Sequence, residues 1–235
     1  MVGLLVVAAL DAPQVAHADA SSVQGPTRTV SWAARIVAPT NAYGQPRPGR
    51  VVARLPTQAR WAGGPHQLLV LATRRDRDDR LWLKVRLDSR PNDAAGWIAA
   101  DRTVVKRTRW HVELDLSDRQ VTVRRAGRIV RRFPAVIGAP ATPTPRGLFA
   151  IAEEVRQPTP RGFLGPWALH LTAHSEVLDD YGGGPGRVAI HGRGGASLFD
   201  PLGSARSHGC VRIDNRHIRF LARVLEPGAP VRVTA

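Results

Sequence analysis

The chain has 235 residues, 43% of them hydrophobic, which is enough for one large domain or two modest ones and excludes a largely disordered protein. Its formal charge of +15 is nearly all arginine, Lys84 and Lys106 being the only lysines, with 16 basic against 6 acidic residues in 21–107 and 18 against 11 in 108–235. Arginine spread in this way, without interleaved aromatics, is a poor nucleic-acid footprint and argues against such a partner, whereas an anionic polymer suits it; a single cysteine excludes any intramolecular disulfide.

Residues 1–20, MVGLLVVAALDAPQVAHADA, run from about ten apolar positions to Ala18-Asp19-Ala20. They fit a secretion signal cut after Ala20, although the basic n-region is missing; the alternative is a buried apolar strand. No stretch approaches the roughly 20 apolar residues of a transmembrane span. Residues 21–30 are small and polar and read as a linker. From 31 to 106 short apolar runs alternate with turn signals: RIVAPT, GRVVARLP, HQLLVLATR, LWLKVRL and GWIAADR. Leu81, Leu83, Val85 and Leu87 alternate with Trp82, Lys84 and Arg86, which predicts a strand with one face toward a core. The run RRDRDDR at 74–80 reads as a solvated hairpin tip. Five short strands predict a small barrel, and LWLKVRLDSRPNDAAGWIAADRT resembles the closing strands of a bacterial SH3-like module.

A second unit, 108–235, opens with a β-meander. Val112, Leu114 and Leu116 alternate with Glu113 and Asp115, SDR turns the chain, QVTVRR returns it, and Ala126-Gly127 turns it again. Ile218, Leu221, Ala222 and Leu225 fall at i, i+3, i+4 and i+7, which predicts a helix with Asp214 or Asn215 as its cap and Gly228 just beyond its end. PVRVTA closes the chain as a strand.

The chemistry concentrates in HGRGGASLFDPLGSARSHGC, residues 191–210. Val188-Ala189-Ile190 predicts a buried strand that delivers His191 to a Gly-rich loop, and Val211-Arg212-Ile213 alternates like a strand directly after Cys210. Two strand ends can thus hold an imidazole and a thiol face to face. A cysteine needs such help near neutral pH, because its thiolate is a minority species and an adjacent imidazole both takes the proton and stabilises the anion. A tight turn through His208, Gly209 and Cys210 would aim backbone N–H groups at one small volume, the arrangement that holds a developing oxyanion.

His191, fifteen intervening residues and Ser207-His208-Gly209-Cys210 resemble the signature of the YkuD-type L,D-transpeptidases. GAPATPTPRGLFAI (138–151), PWALHLTAHS (166–175) and RIDNRHIRFLARVLEPGAPVRV extend the resemblance over about residues 108–234. It implies a mainly β protein: a small SH3-like barrel followed by a β-rich catalytic domain with one C-terminal helix. It implies Cys210 as the acylated nucleophile, His191 as the base, the Gly192 carbonyl as the anchor of the imidazole, and Ser207, His208 and Gly209 as support for the oxyanion turn. The substrate would be peptidoglycan stem tetrapeptides, joined by 3→3 cross-links with release of D-alanine, outside the cytoplasm and without a cofactor, and an anionic cell-wall polymer joins the expected partners. Position 193 is arginine where many relatives carry a small polar residue. Arg212 stands where asparagine is commoner; it is placed either on a substrate carboxylate, as a bidentate donor, or in a scaffold ion pair. His174 and Ser175 fall in the expected cleft-entry segment, while Arg193, Tyr181 and the other histidines (17, 66, 111, 170 and 217) are read as surface or packing residues.

Three other readings stay open on the residues alone: an L,D-carboxypeptidase that uses water as acceptor, a zinc site of Cys210, His191 and His208, and a non-catalytic wall-binding protein. The zinc reading lacks the usual paired-ligand spacing.

Overall fold

The computed structural model describes residues 23–180 and 184–235, so the expected secretion signal at 1–20, the first linker positions and Tyr181 lie outside the described residues. Two sheets account for most of the rest. The first is antiparallel throughout and is built from β1 (Ser31–Ile36), β2 (Thr40–Tyr43), β3 (Val51–Leu55), β4 (Gln67–Arg75), β5 (Leu81–Arg86), β6 (Ala95–Ala99) and β7 (Thr103–Thr108), in the order β3-β2-β6-β5-β4-β1-β7. Seven strands stand where the apolar runs suggest five. Thr40-Asn41-Ala42-Tyr43 has the poor strand formers Asn41 and Ala42 at its centre and no apolar run, and Thr103–Thr108 offers only the pair Val104-Val105; both are held as strands by neighbours on the sheet rather than by their own pattern.

Around Ala34, Ile36, Leu68, Val70, Leu83, Val85 and Ile98 the first sheet closes its own core. On β5 the alternation is incomplete, because Trp82 is buried as well. Its indole donates 2.8 Å to Asp76 Oδ2 and meets Tyr43 edge-on at 6.0 Å, so the back of the strand is covered too. Residues 76–80 form the solvated tip, with Asp76 Oδ1 accepting from the amides of Asp78 and Arg80.

A single residue, Arg109, separates β7 from the second unit. This comprises β8 (Trp110–Asp115), β9 (Gln120–Arg125), β10 (Arg128–Pro134), β11 (Ile137–Gly138), β12 (Gly147–Arg156), β13 (Trp167–His174), β14 (Arg187–His191), β15 (Ala205–Ser207), β16 (Val211–Arg212), α1 (Asn215–Val224) and β17 (Pro230–Thr234). The large sheet runs β10-β9-β8-β17-β12-β13-β14-β16, and β11 pairs with β15 beside it. The expected meander is β8–β10. Helix α1 is capped by Asp214, whose carboxylate accepts from the Arg216 amide at 2.9 Å, and it lays Ile218 and Leu221 into the core formed with Phe149, Leu169, Ile190 and Ile213. This matches the i, i+3, i+4 spacing.

The two units meet along a polar seam. Glu153 on β12 accepts from the amides of Trp61 and Ala62, Arg187 on β14 pairs with Asp88 at 3.0 Å, and Asn92 both donates to the His174 carbonyl and accepts from the His174 amide. Mainly β architecture, with one α-helix among the described residues, is thus the observed class.

Candidate active site

Strand β14 runs parallel to β16, with Ile190 opposite Val211 and His191 opposite Arg212. Because side chains alternate faces along a strand, Val188, Ile190, Val211 and Ile213 point into the core, where each is almost fully buried. Ala189, His191, Cys210 and Arg212 therefore turn to the other face. The register sets the imidazole at the end of β14 and the sole thiol just before the start of β16, on the neighbouring segment of chain.

His191 is 1% exposed. Its Nδ1 lies 2.7 Å from the carbonyl oxygen of Gly192; a carbonyl only accepts, so Nδ1 carries the proton and Nε2 keeps its lone pair. Burial pulls the imidazole down to about 4, with the Gly192 hydrogen bond opposing and the charges of Arg212 and His170 adding to the fall. Burial also pushes the Cys210 thiol up, against the backbone N–H of Ala189 and the positive charge of Arg212. Neutral thiol and neutral imidazole are thus the resting forms, with the imidazole as a base whose proton-accepting nitrogen is open.

Gly192 has no room for a side chain. A Cβ there would lie 2.3 Å from Asn215 Oδ1 and 2.8 Å from Pro166. Asn215, at the start of α1, accepts from the Arg193 amide and donates to the Arg193 carbonyl, both at 2.8 Å, so the helix clamps the segment that anchors His191. Arg193 is an organiser of the following loop: its guanidinium donates to the carbonyls of Leu198 at 3.0 Å and Asp200 at 2.6 Å.

The turn before the cysteine is held from the other side. Ser207 Oγ accepts from the Gly209 amide at 3.1 Å and donates to the Cys210 carbonyl at 2.5 Å. Thr142 donates to the Ser207 carbonyl and Thr144, 3% exposed, to the Gly209 carbonyl, while the Gly138 amide donates to Thr144. Gly209 sits at φ +110°, a conformation that suits glycine. The Gly209 N–H is thereby bonded to Ser207 in the resting turn, which fixes the turn that presents Cys210. His208 is exposed.

Arg212 is 3% exposed, its guanidinium pairs with Asp200 and it stacks over Phe163 at 4.8 Å; of its two expected roles, this is the scaffold ion pair. His174 and Ser175 make their own contacts at the seam between the two units. Ala168 faces His191 in the β13–β14 ladder, and beyond a register shift His174 faces Arg187, four residues from His191 along β14 or about 13 Å at strand rise. Both residues sit at the seam, where His174 Nε2 is 3.9 Å from Asp88 and Ser175 Oγ accepts from the Leu178 amide.

His170, read from sequence as a packing residue, belongs to the site face. It stands directly opposite Ala189, and its imidazole is pulled down to about 4 by burial and by Arg187. Alternation along WALHLTAH, with Leu169 and Leu171 in the core, was the signal that could have found it. Thr144 and Asn215 fall within the segments that carry the family resemblance, but their partners, Gly209 and Arg193, are far along the chain and no local pattern names them. Among the described residues, no three His, Cys, Asp or Glu side chains converge as a metal site requires.

With this geometry in place, comparison with known proteins is informative. The family model of YkuD, the L,D-transpeptidase catalytic domain, matches residues 109–233. The protein named YkuD in Bacillus licheniformis is 28% identical over 164 residues, covering 67% of this chain and 89% of that protein; its Bacillus subtilis counterpart is 26% identical over 162 residues, covering 66% and 88%. Among solved structures, an Enterococcus faecium L,D-transpeptidase aligns at 24% identity with a TM-score of 0.38, over 53% of this chain and about half (49%) of that one. An L,D-transpeptidase from Mycobacterium smegmatis aligns at 18% identity and a TM-score of 0.43, over 84% and 100%. The matched segment takes in His191, the Ser207–Cys210 turn, Thr144 and Asn215, and through it the chain belongs to the L,D-transpeptidase family of YkuD catalytic domains.

Proposed function

We propose that the protein is a cysteine peptidyltransferase acting on peptidoglycan stem tetrapeptides, with Cys210 as the nucleophile and His191 as its base. The observation that carries this reading is the tautomer of His191: with Nδ1–H spent on Gly192, Nε2 is free to accept a proton on the sheet face that bears the sulfur. Cys210 attacks the amide carbonyl that precedes the terminal D-alanine. Its proton passes to His191 and on to the departing amine, D-alanine leaves, and a thioester remains. An acceptor amine then displaces the sulfur and forms the 3→3 cross-link. Once the tetrahedral oxyanion forms, the amide of Cys210 itself is the donor in the turn that Ser207 does not occupy.

An envelope location follows from that substrate, and the arginine-rich surface suits an anionic wall polymer. No helix among the described residues is long and apolar enough to cross a membrane. Residues 31–106 act in this reading as an SH3-like module and 108–235 as the catalytic unit. Hydrolysis by the same thioester, with water as acceptor, is the second reading; it is favoured by the partial exposure of Cys210.

The test is incubation with a disaccharide tetrapeptide while D-alanine, tripeptide and cross-linked dimer are followed by mass spectrometry. Dimer with D-alanine supports the transferase, tripeptide with D-alanine the hydrolase, and neither product overturns both. Cys210→Ala is expected to abolish every product and to retain the fold.

A further inference from the structure

On the site face, Ala189 is bracketed by two groups. On one side lies Cys210, next in register before the Ile190–Val211 pair, with its sulfur toward the Ala189 N–H. On the other side is His170, directly opposite Ala189 in the antiparallel ladder. Two strand spacings separate the backbones of His170 and Cys210, about 10 Å, and both side chains rise from the same face. A gap of that size, narrowed by an imidazole on one side and a thiol on the other, accommodates one reacting group of a substrate.

His191 lies two residues along β14 from Ala189, so the two imidazoles flank the sulfur from different directions. His170 Nδ1 is buried and has no hydrogen-bond partner. The groups around it are Arg187 further along the strand and His191, whose titration it influences. Arg187 is itself held by Asp88 at 3.0 Å and Glu153 at 3.7 Å. Nothing in the first half of the proposed reaction uses this imidazole.

We propose that His170 is the acceptor-side base: His191 serves formation of the thioester, and His170 serves its transfer to the incoming amine. This rests on the acyl-transfer reading above. In the second half-reaction the neutral acceptor amine forms a C–N bond to the thioester carbon, and its nitrogen, now cationic, gives its proton to His170. The C–S bond breaks with its electron pair going to sulfur, and the proton returns from His170 to the thiolate as product leaves, so both groups end neutral. A site with one imidazole on each side of the sulfur need not reorient its only base between leaving group and nucleophile. Its low proton affinity, set by burial and Arg187, keeps His170 ready as an acceptor at neutral pH.

The experiment separates the half-reactions. The whole chain, in excess over the disaccharide tetrapeptide so that every stem is taken up as donor and none is left as acceptor, is mixed with it and D-alanine release is read by rapid quench; an acceptor stem peptide is then added and transfer is followed by intact-protein mass. His170→Gln is expected to slow transfer about 10²-fold, in the range of general-base catalysis, and thioester formation by no more than about threefold. The acyl-enzyme therefore accumulates. In His170→Ala, added imidazole is expected to restore transfer, an effect that a purely structural histidine would not show. Equal slowing of both half-reactions, or transfer at the wild-type rate, overturns the assignment. A wild-type protein that releases no D-alanine overturns the acyl-transfer reading instead, which is a distinguishable result.

Discussion

The Thr144 hydroxyl donates 2.9 Å to the carbonyl of Gly209 across 65 residues of sequence, and so ties the strand approach of β12 to the turn that presents the thiol. The same oxygen accepts from the Gly138 amide. One small side chain therefore satisfies two buried backbone groups, and its deletion leaves both without a partner.

Thr144→Val keeps the volume and removes both bonds. It is expected to cost roughly 2–4 kcal/mol, given about 1–3 kcal/mol for each buried group left unpaired. Chemical denaturation measures the loss; a drop under 0.5 kcal/mol would show that the turn is held by other means. The Cys210 acylation rate is expected to fall along with stability.

The second prediction concerns pH. The His191 imidazole is held at about 4, below its ordinary 6.5, so it stays a neutral base as acid is added and loses that role only as pH falls through about 4. The rate of thioester formation is expected to be flat from pH 7.5 to 5.5 and to decline below about 4.5, in a stopped-flow assay. A limb near 6.5 contradicts this. Stability carries the matching sign. Between 6.5 and 4 the unfolded chain binds a proton at this histidine and the folded one does not, so stability falls as pH drops through that window, by on the order of 3 kcal/mol.

Gly192→Ala is the third. The new methyl meets Asn215 Oδ1 and Pro166 at distances no Cβ adopts, so the clamp opens and the carbonyl that orients His191 moves. Thioester formation is expected to fall at least 10²-fold, since small misplacements of a catalytic group carry large penalties. Asn215→Ala, which removes the clamp without a clash, is expected to give a smaller loss in the same direction; a Gly192→Ala protein of wild-type rate would refute the anchoring role.

Arg212 and Asp200 supply the fourth. Removing one partner of a buried pair costs about 3–5 kcal/mol, and with Asp200 a quarter exposed the lower end applies to Arg212→Gln. Asp200→Asn is expected to destabilise to a similar extent. If Arg212 acts as scaffold, both variants lose stability without a selective rise in KM for the tetrapeptide. A rise in KM with unchanged stability would return Arg212 to substrate binding.

Much of this fold is local enough to be read from sequence. The meander of β8–β10 alternates cleanly, α1 shows its apolar stripe and cap, and the runs at 188–190 and 211–213 announce the two strand ends that carry His191 and Cys210. Strands β2 and β7 do not announce themselves, because Asn41 and Ala42 are poor strand formers and Val104-Val105 is too short a run; β2 is held between β3 and β6, and β7 pairs along β1 at the edge. The same holds at the site. The nucleophile and base lie in one motif and alternation in WALHLTAH sets His170 on their face, but Thr144 and Asn215 meet the site through loop contacts, which no periodicity encodes. The contacts of His174 and Ser175 with Asp88, Asn92 and Leu178 are equally hidden, because a register shift in β13 and a second unit of the chain set them.

The seam between the sheets has a thermodynamic corollary. With one residue joining β7 to β8, a glutamate of one unit capping amides of the other, and Asn92 grasping both backbone groups of His174, neither sheet can melt without stripping partners from its neighbour. Calorimetry is therefore expected to record one endotherm with matching van't Hoff and calorimetric enthalpies, and Asn92→Ala to split it into two.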